Sequence, residues 1–330
     1  MGMGMEQIAV FGIGSTNFRY AVAVPSGDIV TDITVEPTRP KELETQIVDA
    51  VAEVRATTAE PLAGVAVSCT GLVDKETARI TELDTPAGDT VDRIEVGRAV
   101  HDAHGLPVVL ENDCNAAVLG EWHYGSPDGV ESLAHVTFGT GIGGGVVERG
   151  QLVRGESAQA GEFGLLPVAP ESSVESTGVT GAWEAFCSGR GIAHTVSDRI
   201  VEDDPETVLD GPVDAQAVFE AADAGDEFAR ECLDRVARYN AAGIAAICNA
   251  VNPGLVTVGG GVAMNNADTV LGGIERYLDD YLFVEPPEIR LSRLGDDIGL
   301  YGALAAFVEA RESVSVWERA PATDASDADD

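Results

Sequence analysis

Twice along this chain of 330 residues, an apolar run with the character of a buried strand enters a turn of glycine and small hydroxyl residues and returns as a second strand. In the first instance residues 6–12 lead into Gly14-Ser15-Thr16, and 18–24 form the returning strand before a turn at 25–28. In the second, 133–138 lead into a glycine-rich turn over 139–145, and 146–153 read as a hairpin. Each pair is followed by strand and helix signals. The first half gives a helix over 41–57, a strand over 64–68 and a strand over 106–111, then a helix through Ala116, Ala117 and Leu119. In the second half Leu233, Val236, Asn240, Ile244, Ile247 and Val251 recur at helical spacing and predict one helix over 227–251. A strand over 255–258 then runs into Gly259-Gly260-Gly261, with a helix from about residue 266. The shared order predicts a duplicated α/β fold of two domains with an interdomain cleft. The expected division is 1–120, 121–313 and an acidic, disordered tail over 314–330, the last helix being a candidate to pack back on the first domain.

Charge narrows the functional classes. The net charge is −36, and only two of the 20 basic residues are lysines, Lys41 and Lys75. Such a surface repels itself in dilute buffer, whereas at molar salt the Debye length falls to about 3 Å. The composition therefore fits a halophile's protein, the alternative being an ordinary acidic one. No basic stripe is available to neutralise phosphates, so nucleic acid is not an expected partner. No apolar run has the length of a membrane span, and the N-terminus lacks the pattern of a signal peptide, so a cytoplasmic protein is expected. The five cysteines (Cys69, Cys114, Cys187, Cys232 and Cys248) are odd in number and have no C-x-x-C spacing, which predicts free thiols. His101 and His104 are expected at the surface.

Glycine turns that directly follow strands suit phosphate, because a backbone without Cβ atoms comes close and successive N–H groups form an anion-binding concavity. Neither turn matches the Walker pattern. Gly139, Gly141 and Gly144 fit G-x-G-x-x-G, but they open a hairpin and no helix, so the dinucleotide reading fails. Asn112-Asp113 at a strand end is the natural candidate for acid/base work. Taken alone, the pair is read first as a helix cap, with Asp113 or Asn115 accepting from the first free N–H groups.

Taken in order, five segments resemble the ROK family of sugar kinases and repressors over about residues 6–310. They are Gly14-Ser15-Thr16-Asn17-Phe18-Arg19, Ser68-Cys69-Thr70-Gly71-Leu72-Val73-Asp74, Glu111-Asn112-Asp113-Cys114-Asn115-Ala116-Ala117, the glycine run from Gly139 with Arg154-Gly155 and Ala160-Gly161-Glu162-Phe163-Gly164, and Gly259-Gly260-Gly261. The resemblance implies a duplicated actin-like ATPase (ribonuclease H-like) fold and ATP-dependent phosphorylation of a hexose, glucose foremost. It implies Asp113 as general base, with Thr70, Gly71, Asn112, Glu162 and Glu184 at the sugar. Gly14, Ser15, Thr16, Gly139, Thr140, Gly141, Gly259, Gly260 and Gly261 would lie at the nucleotide. ATP and Mg²⁺ are the implied cofactors, and a homodimer or homotetramer the implied assembly. N-acetylmannosamine, mannose and fructose are alternative substrates. A repressor would need a helix-turn-helix ahead of the first loop, and the chain is expected to have no room for one.

Three positions depart from the family pattern. Gly12 stands where the opening loop carries an aspartate that helps position Mg²⁺, which keeps a sugar-binding protein with impaired catalysis as an alternative. Leu165 stands where the family has a sugar-contacting histidine. The stretch 175–184 lacks the cysteines that hold structural zinc in many members, so no zinc is expected.

Overall fold

A computed structural model describes residues 6–58, 60–85, 89–126 and 129–312. The tail expected over 314–330 lies outside them. The chain divides into two compact units, one running to Tyr124 and resuming at Asp297, the other Gly125–Asp296.

The first unit is built on a sheet of β1 (Gln7–Ile13), β2 (Asn17–Ala23), β3 (Thr34–Pro37), β4 (Leu62–Cys69) and β8 (Val108–Asn112) in the order β3-β2-β1-β4-β8. β1 and β2 are antiparallel, with Gly12 opposite Arg19, while β4 and β8 run parallel to β1. Both faces of β1 are covered, which is why its sequence is continuously apolar and does not alternate. Ala9, Phe11 and Ile13 pack with Phe18, Tyr20 and helices α1 (Leu43–Thr57) and α2 (Val96–His104). Ile8 and Val10 meet Leu300, Leu304 and Phe307 of the last helix, α10 (Ile298–Glu312). This burial brings α10 into the first unit, as the sequence allows for the last helix, and the second unit comprises Gly125–Asp296. Between β4 and α2 the chain makes a small antiparallel sheet of β5 (Leu72–Asp74), β6 (Arg79–Asp84) and β7 (Thr90–Ile94), which sequence periodicity did not disclose. α3 (Asp113–Gly120) follows β8 without a linker.

The second unit repeats the pairing scheme. β9 (Ser132–Phe138), β10 (Ile142–Glu148), β11 (Gln151–Leu152), β14 (Leu255–Gly259) and β15 (Glu288–Leu291) lie in the order β11-β10-β9-β14-β15, antiparallel from β11 to β9 and parallel from β9 to β15. A short hairpin of β12 (Glu175–Ser176) and β13 (Val179–Thr180) precedes helices α4 (Glu184–Cys187), α5 (Gly189–Asp203), α6 (Ala215–Ala224) and α7 (Glu227–Val251). α8 (Gly261–Asn265) and α9 (Ala267–Tyr277) follow β14. The length of α7 is set at both ends: Asp226 Oδ1 accepts from Ala229 N at 2.9 Å, and Asn252 terminates it with φ of 53°. One expectation is corrected here. The glycine-rich turn is confined to 139–141, because Gly143, Gly144 and Gly145 are already strand residues opposite Thr137, Val136 and His135. Packing requires glycine at 144, where a Cβ would fall 2.4 Å from both His135 O and the Phe163 ring. Among the described residues no helix is long and apolar enough to cross a membrane.

Candidate active site

In the first unit the expected residues converge at the carboxyl ends of β1, β4 and β8. Thr70 N donates to Ile13 O at 2.9 Å, tying the turn after β4 to the residue before Gly14. The Gly14-Ser15-Thr16 turn is closed by Gly14 N on Asn17 O at 2.9 Å and braced by Thr38, whose hydroxyl donates to Gly14 O at 2.7 Å. Gly71 has φ of 93°, and a Cβ there would lie 2.2 Å from Glu82 O, so the turn into the small sheet admits only glycine.

Asn112, not Asp113 or Asn115, is the N-cap residue of α3, and Asp113 shares one of the free N–H groups with it. Asn112 Oδ1 accepts from Cys114 N at 3.0 Å and Asn115 N at 3.2 Å. Its Nδ2 donates to Gly71 O at 3.2 Å and to Asp113 Oδ1 at 3.1 Å. Both donors and both acceptor lone pairs of Asn112 are thereby engaged inside the protein, so contact with a sugar would require exchange of one of these bonds. Half-buried Asp113 is held by its Oδ1, which shares the Cys114 N–H with Asn112 at 3.0 Å. Burial pushes the Asp113 carboxyl above the ordinary carboxylate range, opposed by bonds from Cys114 and Thr70. Burial and the neighbouring Asp113 charge push the Cys69 thiol up as well.

Behind this loop lies a pair that the sequence reading did not single out. Glu111 is 1% exposed, and its carboxylate is paired with the Lys75 ammonium from the turn between β5 and β6. The available signal was compositional, one of only two lysines among 20 basic residues. At Gly12 a Cβ would meet Gly299 and Leu300 of α10 at 3.7 Å. Arg19, across the β1–β2 pair from Gly12, bonds Asp297 Oδ1 at 3.2 Å.

In the second unit Gly139, Thr140 and Gly141 join β9 to β10, closed by Gly139 N on Gly141 O at 2.9 Å. Gly189 N donates to Gly139 O at 2.8 Å. The Gly259-Gly260-Gly261 turn lies alongside: Gly260 has φ of 84°, and a Cβ on it would lie 2.4 Å from Phe138 O. Beneath, buried His135 spans Thr257 Oγ1 at 2.9 Å and Thr137 Oγ1 at 3.1 Å, linking the strands that lead into both turns. Burial pushes it down to about 3, so it is neutral.

Glu184 is enclosed rather than solvated. Its Oε2 accepts from Ile142 N at 3.1 Å, and its Oε1 accepts from the Ser176 hydroxyl of the β12–β13 hairpin. A Cβ at Gly141 would lie 2.8 Å from Oε2, and one at Gly164 3.0 Å. Glu162 is exposed at the start of the turn Phe163–Leu165, whose Gly164 packs against Glu184. Leu165 packs on the apolar core of this unit. Among the described residues no group of three or more His, Cys, Asp or Glu is arranged to hold a metal ion.

The profile described as the ROK family matches residues 8–310. A glucokinase of Halalkalibacterium halodurans is 31% identical over 312 residues, covering 88% of this chain and 91% of that one. The crystal structure of a ROK hexokinase from Thermus thermophilus superposes with a TM-score of 0.78 at 31% identity, over 93% of this chain and 99% of that one. A ROK family glucokinase from Streptomyces griseus, solved in complex with glucose and AMPPNP, gives 0.72 at 29% identity, over 91% and 98%.

Proposed function

The chain belongs to the ROK family, and from that premise we propose that it is an ATP-dependent sugar kinase that phosphorylates a hexose hydroxyl, glucose foremost, with Asp113 as general base. The observation that carries this reading is the setting of Asp113. A carboxylate at the first turn of a helix would ordinarily be spent as a cap. Here Asn112 is the N-cap and Asp113 shares the Cys114 N–H with it, so Asp113 has its Oδ1 holding two hydrogen bonds and its basicity raised by burial. With Oδ1 saturated, Oδ2 is the oxygen to receive the proton as the sugar oxygen attacks the γ-phosphate. Thr70 and Gly71 adjoin this carboxylate. The backbone amides of Gly14-Ser15-Thr16, of Gly139-Thr140-Gly141 and of Gly259-Gly260-Gly261 are assigned to the nucleotide's phosphates and adenosine. Glu162 and Glu184 are assigned to sugar hydroxyls, Glu184 through the lone pairs that Ile142 and Ser176 leave open.

Magnesium bound with ATP neutralises charge on the β- and γ-phosphates, and it asks the protein for only one or two carboxylates. The donor set fits that modest demand: Asp297, bonded to the Arg19 that lies opposite Gly12, is the acid that would hold it in place of a carboxylate at position 12. A second reading, a sugar-binding protein with little turnover, is favoured by Gly12 itself.

A coupled ADP-release assay in molar KCl with Mg²⁺, run over a panel of hexoses with product analysis, separates the two. A kinase forms ADP in proportion to added glucose, or to another hexose of the panel, and yields the sugar phosphate. Saturable glucose binding without ADP formation from any hexose selects the second reading.

A further inference from the structure

We propose that Lys75 is a positioning residue for the catalytic loop, holding Asp113 in register through the buried carboxylate of Glu111; the inference rests on Asp113 being the base. Glu111 and Asn112 are the last two residues of β8, and the chain turns into α3 directly after them. Glu111 Oε1 accepts from Asn112 N at 3.2 Å and from Asn115 Nδ2 at 3.4 Å, so one oxygen grips the residues on either side of Asp113. Its Oε2 is paired with Lys75 Nζ. Asn112 passes the constraint on by its bonds to Asp113 Oδ1 and Gly71 O. A carboxylate at 1% exposure is costly to bury without a cation beside it. Lys75 supplies that cation from a different element, the turn between β5 and β6; β5 itself begins one residue after Gly71, the glycine that Asn112 bonds.

The choice of residue supports a specific role. Lys75 is one of only two lysines among 20 basic residues. The other, Lys41, is an exposed partner of Asp89, with 73% of its side chain in solvent against 33% for Lys75. A compact ammonium is a point charge on a slim stem, whereas arginine's flat, broad guanidinium demands a fork geometry, so the two are not interchangeable at a single carboxylate oxygen. The titratable groups around Asp113 are Cys69 from β4, Cys114 from α3, Glu111 from β8 and Lys75 through it. α10 also packs on α3 and presents Gly302 to Ala116 there.

The pair is tested by kcat–pH profiles and hexose KM for Lys75→Met, Lys75→Arg, Glu111→Gln and the double variant Lys75→Met/Glu111→Gln, beside Asp113→Asn. Lys75→Met leaves a buried anion next to the loop. Its kcat is expected to fall roughly 10- to 100-fold with hexose KM within about threefold, as a displaced catalytic group does, and its acid limb to move to higher pH. Glu111→Gln removes the anion and moves the acid limb to lower pH. The double variant, neutral on both sides and still able to accept from Asn112 N, recovers kcat to within a few-fold of Glu111→Gln, and Lys75→Arg restores less than the native lysine. A merely structural brace would not move the acid limb in opposite directions in the two single variants. Unchanged kcat and pH profiles in Lys75→Met and Glu111→Gln, beside an inactive Asp113→Asn, overturn this inference alone. An active Asp113→Asn overturns it together with the base. If Lys75→Met does not fold, an acid limb in Glu111→Gln that stays at its wild-type position overturns it by itself.

Discussion

Burial raises the carboxyl of Asp113, so the folded chain holds a proton there more tightly than the unfolded chain does. The stability that this group lends is present at pH below the ordinary aspartate value and is lost as pH rises through the folded one. At neutral pH the ionised base therefore opposes folding, and Asp113→Asn should raise the melting temperature at pH 7 while changing it little near pH 3.5. A substitution that lowers Tm equally at both pH values contradicts this reading. Much of the site was legible at this scale. Asn112-Asp113 after a strand, and glycine turns after strands, carry their chemistry in adjacent residues. The division of labour between Asn112 and Asp113 was not legible, because either side chain can cap a helix and only the φ/ψ values of the loop choose between them. Lys75 and Glu111 lie 36 positions apart and meet through the small sheet, a contact that no local pattern encodes.

Among elements, α7 and α4 fix Glu184. Trp183, fully buried, donates Nε1 to Asn240 Oδ1 of α7 at 2.8 Å and stacks edge-on against Phe138, the residue before the Gly139 turn. The helix surface is cut back at Gly243 to admit the indole: a Cβ there would lie 2.4 Å from the ring. Gly243→Ala should destabilise the protein by about 1–3 kcal/mol through overpacking, despite the better helix propensity of alanine. Because the displaced indole adjoins Glu184, nucleotide and sugar affinity should weaken with it. A denaturation midpoint equal to that of the wild type would remove α7 as the support. The 3.6-residue period of α7 was readable from end to end, since Asp226 and Asn252 mark its termini. The β5–β6–β7 sheet was not, because its strands are short, polar and partly exposed. Gly143–Gly145 were misassigned to a turn because glycine in sequence signals freedom, while in the structure these residues pair along β10 and Gly144 clears room for Phe163.

For the whole molecule, the duplicated order of strands and turns was the constraint that mattered, and both sheets carry it in the same pairing scheme. The last helix was a candidate from the sequence to return to the first domain, and α10 does so: Leu300, Leu304 and Phe307 cover the face of β1 opposite α1, a contact set that no local pattern specifies. The charge of −36 acts on the molecule as a whole. Exposed ion pairs such as Lys41–Asp89 and Arg98–Asp102 contribute little to set against it. We propose that the protein is built for concentrated salt. Its Tm should climb as KCl is raised from dilute to molar, as screening shortens the Debye length from about 30 Å at 0.01 M to about 3 Å, and a Tm independent of KCl refutes the proposal.

The most direct test is a single-residue comparison in high KCl with Mg²⁺ and ATP: hexose-dependent ADP formation by wild type and by Asp113→Asn, with glucose binding measured on both. A general base at Asp113 requires the variant to bind glucose and to lose turnover by about 10²- to 10⁴-fold. A variant that binds glucose and turns over within threefold of wild type contradicts it.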